Sequence, residues 1–199
     1  AQPAAPGSTP VIKAIGNVSG YVLVLGIEPG RLSDLLFPAG KRQVVIMDPD
    51  PGKVAALREE MHAAGISCSR LTALVGDVRT AGLPPYFAEA AVAGSVGPTD
   101  AATIAAVYRC LRPFGGRFCL ELDSGGHSRF ETACAAARLE MSKVTREGGF
   151  SILTREGLPL PTGNWGNAYG GDAARTLTTQ DALVKSPLGL LWFGGDASP

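Results

Sequence analysis

The chain has 199 residues, 45% of them hydrophobic and 18% charged, which suits one α/β domain of about 150 residues with extensions. Its 18 basic and 18 acidic side chains balance to zero, so no charge excess steers it toward nucleic acid or an anionic membrane. No apolar run reaches the ~18 residues of a transmembrane helix, and the four cysteines, Cys68, Cys110, Cys119 and Cys134, hold no C-x-x-C pair of the zinc-binding kind.

Residues 1–10 are small, Pro-rich and uncharged. They read as a linker or tail, or as the start of a mature chain after removal of a signal peptide. Val11 to Ile15 is expected to form a short helix. Tyr21 to Leu25 (YVLVL) is a continuous apolar run followed by glycine, the pattern of a strand buried on both faces. Gly30 to Leu36 is expected to be a short helix stopped by Pro38. Gln43 to Met47 is a second buried strand. Asp50-Pro51 starts a helix, with a capping side chain and then proline in the first turn. Val54, Leu57, Met61 and Ala64 follow at helical spacing, and Gly65 ends it.

Leu71 to Val75 is a third strand, and Glu89 to Val96 a fourth, poor in large side chains. Thr99 to Leu111 is a helix with Ile104, Val107 and Leu111 on one stripe, closed by Pro113 and Gly115-Gly116. Arg117 to Leu122 is a fifth strand. Ser128-x-x-Glu131 has the form of a capping box. It is expected to open a helix whose core face is Phe130, Cys134, Ala137, Met141 and Val144. Phe150 to Thr154 is a sixth strand. Cys110, Cys119 and Cys134 sit among apolar residues and read as buried small hydrophobes. This alternation predicts an α/β fold: an open, mostly parallel, doubly wound sheet with right-handed crossovers. Ligands then bind beyond the carboxyl ends of the strands, where strand order reverses.

Three groups fall at those ends. Gly26, in Gly26-Ile27-Glu28-Pro29-Gly30, lets a ligand approach the backbone. Asp48 ends the second strand and could accept hydrogen bonds from both hydroxyls of a ribose; it could equally open the turn Asp48-Pro49-Asp50. Asp77, in Val75-Gly76-Asp77-Val78, could accept from an adenine amino group, or cap its loop. His127 follows the fifth strand and is the one candidate general base; an ordinary loop residue is the other reading. No nucleophile–histidine–acid arrangement is visible. A dinucleotide G-x-G-x-x-G is absent, since Gly26, Glu28 and Arg31 hold those positions.

From Val11 to Thr154 the chain resembles the class I S-adenosylmethionine (SAM)-dependent methyltransferases. YVLVLGIEPGRL is similar to their glycine-rich first motif, VVIMDPDPGKVAALRE to the acidic second strand and its helix, VGDV to the adenine-contacting motif, and YRCLRPFGGRF to the turn before the fifth strand. The resemblance implies a SAM methyltransferase-like domain over residues 11–156. It implies SAM as cofactor, methyl transfer to an unidentified small-molecule acceptor, and Gly26, Glu28, Gly30, Asp48, Asp77 and Val78 as cofactor contacts. The family usually has an acid where Val24 stands and a glycine where Glu28 stands. Glu28 adds bulk and negative charge near the carboxylate of SAM, and Pro29 removes a backbone donor, which implies a weakened or lost cofactor site.

Residues 157–199 are rich in Gly, Asn, Thr and Pro and read as an irregular C-terminal extension. Asn164-Trp165-Gly166-Asn167-Ala168-Tyr169 and Leu190-Leu191-Trp192 resemble the opening of a pyrroloquinoline-quinone-type (PQQ-like) β-propeller. That implies a piece of a larger protein, with contacts to a propeller domain or another chain through 157–199. The alternative function is then a non-catalytic methyltransferase-like scaffold module. An active SAM enzyme implies the cytoplasm; an exported propeller protein implies the periplasm or the exterior.

Overall fold

A computed structural model describes residues 14–16, 18–26, 42–93 and 100–158. Seven strands form one sheet in the order β3-β2-β1-β4-β5-β7-β6. The strands are β1 (Tyr21–Leu25), β2 (Gln43–Asp48), β3 (Leu71–Val75), β4 (Ala88–Ala93), β5 (Gly116–Glu121), β6 (Ser142–Glu147) and β7 (Phe150–Arg155). The first five pair in parallel. β7 runs antiparallel to both β5 and β6. The sheet is thus the expected open, mostly parallel one. The strand order reverses between β1 and β4, so that pair is the topological switch point.

Three helices are described: α1 (Pro51–Ala63), α2 (Ala101–Cys110) and α3 (Ser124–Ala136). Each begins on an aspartate. Asp50 accepts from the N–H groups of Gly52 and Lys53, Asp100 from Thr103, and Asp123 from Gly126. Such caps satisfy donors that a helix start leaves without partners. Val54, Leu57 and Met61 of α1 pack on one face of the sheet with Val22, Val24, Val44 and Ile46. α2 and α3 cover the other face, where Ile104, Val107, Phe130 and Cys134 meet Leu23, Phe118, Leu120 and Leu153. Phe118 and Phe130 meet edge to face, 6.1 Å apart. Burying each such large apolar side chain is worth roughly 1.5–3 kcal/mol.

The expected strands and the α1 and α2 helices are present within one or two residues, as far as they are described. Two expectations fail. The last long helix starts at Asp123, not at Ser128, and ends at Ala136. Ser128 lies inside it, its hydroxyl donating to the Ser124 carbonyl. Met141 and Val144 therefore lie outside the helix. The chain turns at Arg138 and Met141, both at positive φ, and enters β6, a strand the sequence did not announce. Phe150 to Thr154 is consequently the second arm of a hairpin rather than a parallel strand, with Gly148 and Gly149 at its turn. The expected helices at Val11–Ile15 and Gly30–Leu36, the 1–10 linker and the 157–199 extension fall wholly or mostly outside the described residues.

Candidate functional site

The carboxyl ends of β1, β2, β3 and β4 enclose a cleft of about 240 Å³ lined by Leu25, Gly26, Met47, Pro49, Gly76, Asp77, Val78, Ala93 and Thr103. Its position follows from the topology: the strand order reverses between β1 and β4, and ligand crevices lie at the carboxyl ends of such switch points. Gly26 sits where β1 ends, at φ +83°, a conformation that penalises side chains. Its N–H donates to the Met47 carbonyl at 2.7 Å, and the space a Cβ would enter is empty. Gly26 therefore offers bare backbone to the cleft.

Asp48 ends β2 and is 4% exposed. Its Oδ1 accepts from the Asp50 N–H at 2.8 Å, and its Oδ2 is 4.0 Å from Lys53 Nζ. The carboxylate thus holds the β2–α1 turn, beside the cleft-lining Pro49. Asp77 follows β3 and lies on the cleft wall with Val78. Its carboxylate is bound by the Arg79 side chain and backbone. The hydrogen bonds from Arg79 hold Asp77 below the usual carboxylate range. Glu28 and Gly30 lie outside the described residues.

The structure thus brings Gly26, Asp77 and Val78 to one cleft and sets Asp48 at the adjoining strand end. Leu25, Met47, Pro49, Gly76, Ala93 and Thr103 complete the lining and were not among the contacts expected from sequence. Met47 and Ala93 are strand-end residues whose only signal was position, and Thr103 is carried in by the first turn of α2.

His127 lies in the first turn of α3 and does not line this cleft. Its Nδ1 is 2.8 Å from the Ser151 hydroxyl and its Nε2 is 3.4 Å from Glu131 Oε1. The structure therefore assembles a serine–histidine–acid series that the sequence did not reveal. Ser151 is fully buried in β7, so no substrate carbonyl reaches its oxygen. The series pins α3 to the antiparallel arm of the sheet. Among the described residues, no group of three or more His, Cys, Asp or Glu could hold a metal ion, and no helix is long and apolar enough to cross a membrane.

No protein-family profile and no curated protein matches the sequence. Solved structures do. A protein from Methanococcus maripaludis, described as a candidate SAM-dependent methyltransferase, superposes with a TM-score of 0.63 at 16% identity, over 76% of this chain and 84% of that one. A SAM-dependent methyltransferase from Aquifex aeolicus gives 0.53 at 16% identity, over 72% and 86%. The geranyl diphosphate C-methyltransferase of Streptomyces coelicolor, solved with S-adenosyl-L-homocysteine, gives 0.53 at 10% identity, over 72% and 76%. The described domain therefore has the Rossmann-like fold of SAM-dependent methyltransferases.

Proposed function

We propose that the domain binds SAM across the carboxyl rim of the sheet and transfers its methyl group to a small-molecule acceptor. The observation that carries this reading is the convergence of three strand ends on one cleft. Gly26 leaves open space after β1, the β2 turn supplies Pro49 with Asp48 buried beside it, and the β3 end supplies Asp77 and Val78. At about 240 Å³ the cleft falls below the ~300 Å³ at which ligand pockets begin, and so suits the nucleoside part of the cofactor rather than the whole. Asp77 and Val78 would face adenine, Asp48 the ribose, and the Gly26–Gly30 turn the methionine part.

SAM, when bound, supplies an electrophilic methyl carbon on a sulfonium. The chain's own task is then to orient the reactants and exclude water, which accounts for much of the barrier in a direct displacement. A protein-supplied base is not essential to such a step. His127, with both ring nitrogens engaged, supports α3 rather than standing free at the rim.

A second reading is a non-catalytic methyltransferase-like module within a PQQ-like propeller protein, with residues 157–199 as its link to that partner. Two features favour it: Glu28 in the glycine-rich turn, and the Asp77 carboxylate already taken by Arg79. Calorimetric titration with SAM and S-adenosylhomocysteine separates the two. The first reading expects a dissociation constant below about 100 μM, equivalent to more than about 5 kcal/mol. Absence of both heat and thermal stabilisation by either ligand would remove it.

A further inference from the structure

Asp77 stands on the cleft wall, yet its carboxylate is occupied from within the chain. Arg79 Nε lies 3.0 Å from Oδ1 and 3.1 Å from Oδ2, Nη2 lies 2.6 Å from Oδ2, and the Arg79 backbone N–H donates to Oδ1 at 2.8 Å. An ionised carboxylate has about four lone-pair sites. Three N–H donors of one residue make these four contacts, the Nε–H being shared between both oxygens, and an incoming amino group must compete with them for the carboxylate. Three of the four come from the guanidinium, so rotation of the Arg79 side chain alone frees them while the backbone bond stays.

That rotation meets little resistance. The Arg79 side chain is 52% exposed, so it swings through water. Asp100, the N-cap of α2, adds a weak long-range pull on the Arg79 charge, smaller than that of Asp77. Asp100 Oδ1 accepts from the Thr103 N–H at 2.8 Å, and Thr103 lines the same cleft.

We infer that Arg79 is a gate on adenine recognition: it holds the Asp77 carboxylate in the free protein and swings out into solvent when an adenine amino group takes its place. The inference rests on the reading that adenine lies against Asp77. Affinity for adenine-bearing ligands is then set by a competition between the amino group and the guanidinium for the same two oxygens.

The test is calorimetric titration of the full chain with S-adenosylhomocysteine and with adenosine, in wild type, Arg79→Gln and Arg79→Gln/Asp77→Asn, with circular dichroism to verify folding. Arg79→Gln is expected to bind about fivefold tighter, the scale of one exposed ion pair. Adding Asp77→Asn should erase that gain. Wild-type affinity should also rise between about 0.05 M and about 0.5 M salt, because screening weakens the pair, and Arg79→Gln should lack this rise. Binding seen in Arg79→Gln alone supports the gate in its strongest form. Equal or weaker binding by Arg79→Gln overturns the gate and leaves the cleft reading intact. No binding by any of the three proteins overturns both.

Discussion

At Gly116 the decisive quantity is space. A Cβ there would stand 2.5 Å from the Arg112 carbonyl oxygen and 2.8 Å from the Arg112 nitrogen. The preceding Phe114 and Gly115 both take positive φ, so the turn into β5 is tight and its neighbours are backbone, which cannot rotate aside. Gly116→Ala is expected to cost about 1–3 kcal/mol, as overpacking does, and to lower the urea midpoint; an unchanged midpoint would show that the turn yields. This turn was legible because Pro113 and a glycine pair punctuate the sequence. The Asp77–Arg79 contact was not. A long side chain folding back two residues leaves no periodic trace, and the sequence showed only that a carboxylate stood at the right strand end. The His127–Ser151 contact was hidden for a related reason: its partners come together only once β7 has turned antiparallel.

Among the elements, β3 is an edge of the sheet, an uncharged LTALV strand with no proline. Such edges invite pairing with other chains. Here α1 supplies a guard: Arg58 donates to the Ala73 carbonyl through Nε at 3.2 Å and Nη2 at 2.6 Å. Arg58→Ala is expected to lower stability by about 1 kcal/mol, the worth of one modest hydrogen bond, and to speed concentration-dependent self-association seen by light scattering. Unaltered scattering would mean that the edge is protected in some other way. The opposite edge explains a failure of sequence reading. β6 (SKVTRE) is protected by charge, and only Val144 and Thr145 turn partly inward, too few to give an alternating pattern. Its neighbour α3 was misread because Ser128-x-x-Glu131 has the form of a capping box, whereas the cap is Asp123, which accepts from the Gly126 N–H. The strands YVLVL and QVVIMD were legible because burial on both faces demands unbroken apolar runs.

For the whole molecule, two cores on opposite faces of one sheet trap three of the four thiols. Burial pushes Cys119 up to about 12 and Cys134 up to about 11, and raises Cys110 as well. The folded state therefore keeps protons that the unfolded chain releases above the ordinary thiol value of about 8.5. The stability held by these thiols is complete below that value and drains away as pH climbs toward their folded values. The urea midpoint should fall between about pH 9 and about pH 12, and Cys119→Ala should flatten part of that slope. A midpoint constant across this window would show that the thiols titrate as if in water. Exposed Cys68 should react with a thiol reagent at once, the other three only on unfolding.

The reversal of the last strand also decides where the polypeptide departs. Arg155, the final residue of β7, lies opposite Gly116, the first residue of β5. It is anchored there beneath the rings of Tyr86 and Tyr108, with its guanidinium on the Leu111 carbonyl. A six-residue strand, about 20 Å long, separates that pole from the carboxyl rim. A fluorophore placed on Glu156, which directly follows Arg155 and has a half-exposed side chain, thus sits at the amino pole of the sheet, a strand's length from the cleft.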